Sequence, residues 1–191
     1  MKLTRRITPL LFALSLSASS ALASNWDESV DGDISGDRLA PSQVTLTSLS
    51  QVTGTVIAGD LDYITVHATY GIQAIVLDSF VSTDDLAFIA IQAGSTFTEP
   101  PTGTVVGNLL GYAHMSLPTG QDLLPVMLSG PGAAGNNFPP GTNFLPVGDY
   151  TLWIQQTGAQ SVGYSLRFVP EPATWALFAL GLGALVTRRR R

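Results

Sequence analysis

Short runs of apolar residues follow one another through the middle of the chain. Residues 62–68 (DYITVHA) and 149–155 (DYTLWIQ) alternate between two kinds of side chain, and a period of two is typical of a β-strand. Residues 73–81 and 86–92 are almost continuously apolar, so we expect them to be central strands. We recognise no long stretch of the middle with the three-to-four-residue spacing of an amphipathic helix, so we expect no helix there.

The pattern predicts six clear strands and three weaker ones. The six clear strands are residues 52–58, 62–68, 73–81, 86–92, 149–155 and 162–168. The three weaker candidates are residues 44–47, 109–115 and 123–128. Turn residues such as Gly59-Asp60 and Thr157-Gly158 separate the runs. Many short strands with frequent turns predict an all-β fold, an antiparallel β-sandwich of jelly-roll type.

The first 23 residues have the three-part layout of a secretory signal peptide. Lys2, Arg5 and Arg6 precede an apolar run at residues 10–16, and Ala21-Leu22-Ala23 forms an A-x-A cleavage site. The apolar run is shorter than the roughly 20 residues that span a bilayer. We therefore predict a signal peptide at residues 1–23 that exports the chain through the inner membrane.

The last 22 residues also form three parts. Pro170, Glu171 and Pro172 come first, and residues 173–187 are apolar or small without a charge. Four arginines, Arg188, Arg189, Arg190 and Arg191, close the chain. We predict a short transmembrane helix at residues 173–187, with the arginines on the cytoplasmic side by the positive-inside rule.

This order of motif, apolar helix and arginine cluster resembles the PEP-CTERM sorting domain of Gram-negative bacteria. The resemblance implies that a membrane-embedded exosortase reads Pro170, Glu171 and Pro172 and cuts the chain near them. It further implies release or transfer to the cell surface, often in strains that make extracellular polysaccharide. The two prolines keep the segment extended, which suits a protease cleft. The alternative is a plain tail anchor.

Charge separates the two ends from the middle. Residues 24–169 hold 13 of the 14 acidic residues, two arginines and no lysine, which gives a net charge of −11. An acidic surface of this kind argues against nucleic acid as a partner. The absence of cysteine excludes a disulfide scaffold, a thiolate zinc site and a cysteine nucleophile.

The middle of the chain is divided into an acidic lead-in with a first strand, residues 24–49, and a sandwich domain, residues 50–169. Two strand entries in the domain, Gly59-Asp60-Leu61-Asp62-Tyr63 and Leu145-Pro146-Val147-Gly148-Asp149-Tyr150, resemble those of bacterial pre-peptidase C-terminal (PPC-like) domains. The resemblance implies a small jelly-roll-like sandwich in a secreted protein. No peptidase domain accompanies it in this chain.

The lead-in carries a candidate calcium loop. Oxygen-bearing side chains stand at every second position, Asp31, Asp33, Ser35 and Asp37, a spacing that lets one loop surround Ca²⁺. The twelfth position of an EF-hand frame is Ser42 rather than glutamate, which argues against an EF-hand. The alternative is a solvated acidic segment in which Arg38 pairs with a carboxylate.

Asp60 and Asp62, at the entry of a strand, form a second calcium candidate. Turn chemistry and an edge charge are the alternative interpretation of this pair. Calcium is the only cofactor that the sequence suggests.

Trp153 and Tyr63 are candidate glycan contacts. Trp153 stands opposite the expected core face of its strand, beside Gln155, and an exposed aromatic ring there would stack on a sugar. The alternative is that a second sheet or a loop covers Trp153.

Catalysis finds little support in the sequence. The two histidines, His67 and His114, belong to no G-x-S-x-G or H-E-x-x-H motif. We therefore expect a non-catalytic structural or interaction protein of the cell surface or matrix, with exosortase, the inner membrane and exopolysaccharide or other matrix components as partners. A carbohydrate-binding module is the first alternative and a secreted hydrolase the second.

Overall fold

A computed structural model describes residues 25–47, 50–83, 86–101, 107–115, 118–129 and 144–171. The predicted signal peptide (1–23), Pro172, the predicted membrane helix (173–187) and the cluster from Arg188 to Arg191 lie outside the described residues. Within the part of the chain that is described, no helix is long and apolar enough to cross a membrane.

The strands form two sheets. Sheet A has the order β1-β3-β9-β5, with β1 Asn25–Asp27, β3 Ser50–Val56, β9 Val162–Pro170 and β5 Ile72–Val81. Sheet B has the order β2-β4-β8-β6-β7, with β2 Ser42–Leu46, β4 Leu61–Ala68, β8 Gly148–Gln156, β6 Ala87–Ala93 and β7 Leu109–His114. Two short helices complete the described elements, α1 Glu28–Asp31 and α2 Leu123–Ser129. The predicted all-β sandwich is confirmed.

The strand register keeps the alternation of side chains that the sequence pattern predicts. Strands β4 and β8 pair antiparallel with Tyr63 opposite Trp153 and Ile64 opposite Leu152. Two pairs at the sheet edges, β1 with β3 and β2 with β4, are parallel instead. Strand direction leaves no mark on a period-two pattern, so these parallel pairs could not be predicted.

The principal core lies between the two sheets. Ile64 and Leu152 of sheet B and Leu166 and Phe168 of sheet A are each fully buried in it. Burial of each such side chain stabilises the fold by roughly 1.5–3 kcal/mol. Position 62 shares the parity of Ile64 in β4, so its side chain also faces this core.

The prediction of a strand at residues 123–128 is wrong, because this segment forms α2. Asp122 Oδ1 accepts the backbone N–H of Leu124 at 3.0 Å, which is the hydrogen bond of a helix N-cap. Pro125 stands in the first turn, where its missing N–H costs nothing. Four buried residues face the core at helical spacing: Leu123, Leu124, Met127 and Leu128.

Gly111 of β7 allows α2 to pack closely on sheet B. A Cβ atom at this position would collide with the carbonyl group of Met127. The backbone of a helix cannot move aside as a flexible side chain would.

We predict that Gly111→Ala lowers the free energy of unfolding by about 1–3 kcal/mol, as overpacked positions do. The measurement is urea denaturation of the full-length chain in mild detergent. The matched control is Gly163→Ala in β9, whose new Cβ would meet only Val81 Cβ at 3.9 Å. Equal stability of the two variants would contradict the close packing of α2.

Candidate functional site

Asp62 is a carboxylate buried in the apolar core. It is the second residue of β4, it faces sheet A, and its exposed fraction is 0%. A buried carboxylate is costly unless each of its oxygens has a partner. The surroundings of this one side chain therefore define the candidate site.

Among the described residues, only one oxygen of Asp62 has a hydrogen-bond partner. The hydroxyl of Tyr164, from β9 of sheet A, donates a hydrogen bond to Oδ2 at 2.5 Å. Oδ1 is buried and accepts no hydrogen bond. Burial, opposed by the Tyr164 hydrogen bond and reinforced by the negative charges of Glu28, Asp60 and Asp33, raises the pKa of Asp62 to about 8.

The N-terminal segment brings two more carboxylates to Asp62. Asp27 caps α1 by accepting the backbone N–H of Ser29 at 2.9 Å, and this places Glu28 at the start of the helix. Gly32 ends α1 with a φ of 90°, which favours glycine because it lacks Cβ. Asp33 follows directly and turns toward β4.

Two contacts fix this segment against the sandwich. The backbone N–H of Tyr63, the residue after Asp62, donates a hydrogen bond to the carbonyl of Ser35 at 2.8 Å. The side chain of Ile34 is buried in the principal core, with an exposed fraction of 1%. Asp33 is thus held beside the entry of β4.

Glu28 is positioned by hydrogen bonds to both of its oxygens. Oε2 accepts the backbone N–H of Thr55 at 2.7 Å and its hydroxyl at 3.0 Å. Oε1 accepts the backbone N–H of Ile34 at 3.2 Å. Gly54 leaves room for this arrangement, since a Cβ there would lie 2.5 Å from Tyr164 Oη and 3.2 Å from Glu28 Cδ.

The carboxylates of Glu28, Asp33 and Asp62 lie close together, and the first two line an open cleft. Glu28, Asp33 and Asp62 each offer one oxygen, and these oxygens lie within 4.8 Å of one another. The cleft has a volume of about 630 Å³, and its lining includes Asp27, Glu28, Asp33, Thr53 and Thr55. We call Glu28, Asp33 and Asp62 the acidic triad.

The structure brings together only part of the predicted calcium residues. Asp33 of the first candidate and Asp62 of the second meet in the acidic triad. Asp60 lies close enough for the charge of Asp33 to raise its pKa, although burial is the larger cause.

The other predicted ligands of the loop each make a local hydrogen bond. Asp31 accepts the backbone N–H of Asp27, the Ser35 hydroxyl donates to the carbonyl of Ala40, and Asp37 accepts the N–H of Leu39. Arg38, expected beside a carboxylate, instead donates to the carbonyls of Phe97 and Thr98 at 3.1 and 2.8 Å.

Sequence reasoning missed Glu28, but two signals pointed to the site. Asp62 has the parity of core residues in its strand, which marks it as a buried carboxylate that needs a partner. Gly54 lies in the interior of β3, and glycine there often marks a close approach by another group.

The candidate glycan contacts are buried, in line with the alternative that a second sheet or a loop covers Trp153. The exposed fractions of Trp153 and Tyr63 are 7% and 1%. Phe97, from the segment after β6, covers both rings at centroid distances of 5.6 Å. Together with Ala90 and Leu109 they form a second apolar cluster on the outer face of sheet B.

The two histidines lie on different strands of sheet B. His67 Nδ1 is 2.8 Å from Asp149 Oδ1, and both side chains are partly open to solvent. These two residues are opposite one another in the β4–β8 ladder. His114, in β7, lies against the ring of Phe88 at a centroid distance of 6.2 Å.

The C-terminal motif begins inside the sandwich. Pro170 is the last residue of β9 and stands opposite Ile72 of β5. The backbone N–H of Glu171 donates to the carbonyl of Gly71 at 2.7 Å, while the Glu171 side chain packs over Gly71, where a Cβ would collide with it. The sandwich therefore reaches the second residue of the motif without a linker.

Comparison with protein families confirms the motif. The model of the PEP-CTERM protein-sorting motif matches residues 168–191. The motif implies that the chain is exported, held transiently in the membrane and processed by an exosortase before it reaches the cell surface. The search of curated proteins and the search of solved structures each found no match. The PPC-like resemblance stays a prediction.

The raised pKa of Asp62 predicts an unusual pH dependence of stability. Between about pH 4 and pH 8 the unfolded chain ionises Asp62 while the folded chain keeps its proton. The stability contributed by this group is complete below about pH 4 and is lost as the pH rises to about 8, by at most about 1.4 kcal/mol per pH unit.

We therefore expect Asp62→Asn, measured in chelator, to gain stability over the parent chain as the pH rises from 5 to 8. Urea denaturation at both pH values gives the two free energies of unfolding. The control, Asp37→Asn, changes an exposed carboxylate and should keep the parent pH slope. Parallel pH curves for Asp62→Asn and the parent chain would contradict the raised pKa.

Proposed function

We propose that the chain is a non-catalytic structural module of the cell surface or extracellular matrix, associated with exopolysaccharide. The observation that carries this proposal is the junction of β9 with the sorting motif. Since β9 ends at Pro170, a cut on the C-terminal side of Glu171 releases the whole sandwich and leaves every β9 pair intact. The product that reaches the surface is then the folded domain itself.

The charge of the domain suits a hydrated, cation-rich matrix. Residues 24–169 carry a net charge of −11 without a lysine, so copies of the domain repel one another and attract counter-ions. Polysaccharide chains in such a layer are bridged by the same cations. An acidic module is thereby held in the layer through shared cations rather than through direct contact between like charges.

The arrangement of the histidines supports a structural role. The cross-strand pair of His67 and Asp149 lies on a regular ladder and stabilises the pairing of β4 with β8. Thr65 and Thr151, the next pair along the same face, bond to each other at 2.8 Å and are fully buried. The hydroxyls of Thr65 and Thr151, which are nearest to His67 in the strand register, are thus hydrogen-bonded to each other within the sheet.

Processing gives the first test. We expect mass spectrometry of the surface form to find a C-terminus at or beside the Pro170–Pro172 motif, with Arg191 missing. Glu171→Ala removes the acidic residue that the exosortase reads, so this variant should keep Arg191 and stay in the membrane fraction. Because Glu171 is exposed, the melting temperature of the Glu171→Ala variant should match that of the parent chain.

Asp37→Ala is the control for a lost surface charge and should be processed normally. Intact Arg191 on mature parent protein at the surface would overturn the sorting step.

The matrix role has a separate test. We expect the processed protein to co-sediment with exopolysaccharide from the producing cells when divalent cations are present, and to separate from it in chelator. The size distribution of the polymer should stay unchanged after prolonged incubation, because the module binds without cleaving. Shortening of the polymer would instead identify a hydrolase, and co-sedimentation that chelator does not affect would contradict binding through cations.

A further inference from the structure

We propose that the acidic triad of Glu28, Asp33 and Asp62 is a Ca²⁺ site that fastens the N-terminal segment to sheet B. This proposal is independent of the matrix role, since it concerns one ion bound within one chain.

The distances within the triad suit a single shared ion. One oxygen from each carboxylate lies within 4.8 Å of the other two. Ligands on opposite sides of one Ca²⁺ lie about 4.6–5.2 Å apart, because each Ca–O distance is about 2.3–2.6 Å. An ion placed among the three oxygens can therefore bind all of them after small side-chain movements.

Asp62 supplies the observation that points to a missing ligand. Its side chain is completely buried, and Oδ1 has no hydrogen-bond partner. Buried polar atoms in folded proteins are almost always satisfied, so an exception requires an explanation. A cation bound by Asp62 together with Glu28 and Asp33 takes the place of the Asp62 proton and gives the unpartnered oxygen a ligand.

No positively charged side chain of the described residues takes that place. Arg38 donates to the carbonyls of Phe97 and Thr98, and Arg167 forms an ion pair with Asp78 at 2.8 Å. These are the two arginines among the described residues, which include no lysine. Four acids whose charges act on one another, Asp60 and the triad, are left without a protein cation.

Hydrogen bonds hold part of the site in place before an ion binds, and another part of the site is exposed to solvent. Glu28 is fixed by three hydrogen bonds from Ile34 and Thr55, and Gly54 keeps space free beside Glu28 and Tyr164. Asp33 is exposed at the cleft, so water can reach the ion and complete the 6–8 oxygen ligands of Ca²⁺. Mg²⁺ fits less well, because it requires a near-ideal octahedron at about 2.0–2.1 Å.

The ion would connect distant parts of the chain. Glu28 lies in α1, which follows β1 of sheet A along the chain, Asp33 lies in the link toward β2, and Asp62 lies in β4 of sheet B. Strand β1 has only three residues, too few to hold this segment in place by ladder hydrogen bonds alone. Ca²⁺ therefore strengthens the attachment of the first 12 described residues, 25–36, which the buried Ile34 and the Tyr63–Ser35 hydrogen bond already hold to the domain.

Calcium titration of the full-length chain in mild detergent, after chelator treatment, tests the proposal. We expect isothermal titration calorimetry to give one bound Ca²⁺ per chain and weaker binding of Mg²⁺. At a free Ca²⁺ concentration of 100 times Kd, the melting temperature should rise by roughly 5–10 °C. An unchanged melting temperature in Ca²⁺ and in chelator would overturn the proposal.

Three variants locate the ion. Asp62→Asn should abolish the Ca²⁺-dependent rise in melting temperature, and Asp33→Asn, which changes an exposed side chain and leaves the core intact, should weaken Ca²⁺ binding by on the order of tenfold or more. Asp37→Asn removes the same charge from the same segment outside the triad, and it should bind like the parent chain. Equal losses in all three variants would show a diffuse attraction of cations to the acidic surface instead of a site.

Hydrogen exchange tests the fastening itself. Amides of residues 28–36 and 61–64 should exchange about 100-fold more slowly at 100 times Kd, because opening requires release of the ion. Amides at the β6–β7 end of sheet B that exchange through local opening should be unaffected, whereas amides that exchange only through global unfolding should slow as the melting temperature rises. Protection of locally exchanging amides that is absent from residues 28–36, or confined to residues 61–64, would contradict a link between the two segments.

Discussion

The hydrogen bond from Tyr164 to Asp62 is the constraint around which the sandwich is arranged. It joins the central strand β9 of sheet A to strand β4 of sheet B through an otherwise apolar core. An apolar residue at position 62 would be more favourable for stability, since a buried carboxylate must be desolvated. The carboxylate is therefore better explained by what it binds than by its effect on folding. The absence of Cβ at Gly54 and the fixed position of Glu28 both accommodate this one bond.

Most of the strands could be predicted, because the side chains of a strand still alternate between the two faces of the sheet after the sheets have packed together. All six clear strands correspond to observed strands, and the two weaker candidates that became β2 and β7 do so as well. The sequence pattern wrongly predicted a strand where α2 forms, because five apolar residues within seven positions fit either a strand or a short helix. Asp122 and Pro125 were the signals that favoured the helix.

The candidate site could be predicted only in part. Asp33 and Asp62 follow from the spacing of oxygen-bearing side chains, but their meeting with Glu28 depends on how the N-terminal segment crosses from one sheet to the other. Local spacing cannot show that Asp31, Ser35 and Asp37 bond within their own turn. The burial of Trp153 likewise depends on Phe97, 56 positions earlier in the chain, which no strand pattern places over it.

The position of β9 has a consequence for the order of folding. This strand is central in sheet A, between β3 and β5, yet it is the last of the described strands along the chain. Sheet A therefore cannot close until residues 162–170 are available for pairing, and the edges of β3 and β5 that face β9 stay unpaired until then. Because the sorting motif begins within β9, the segment that completes sheet A is also the one that leads into the motif.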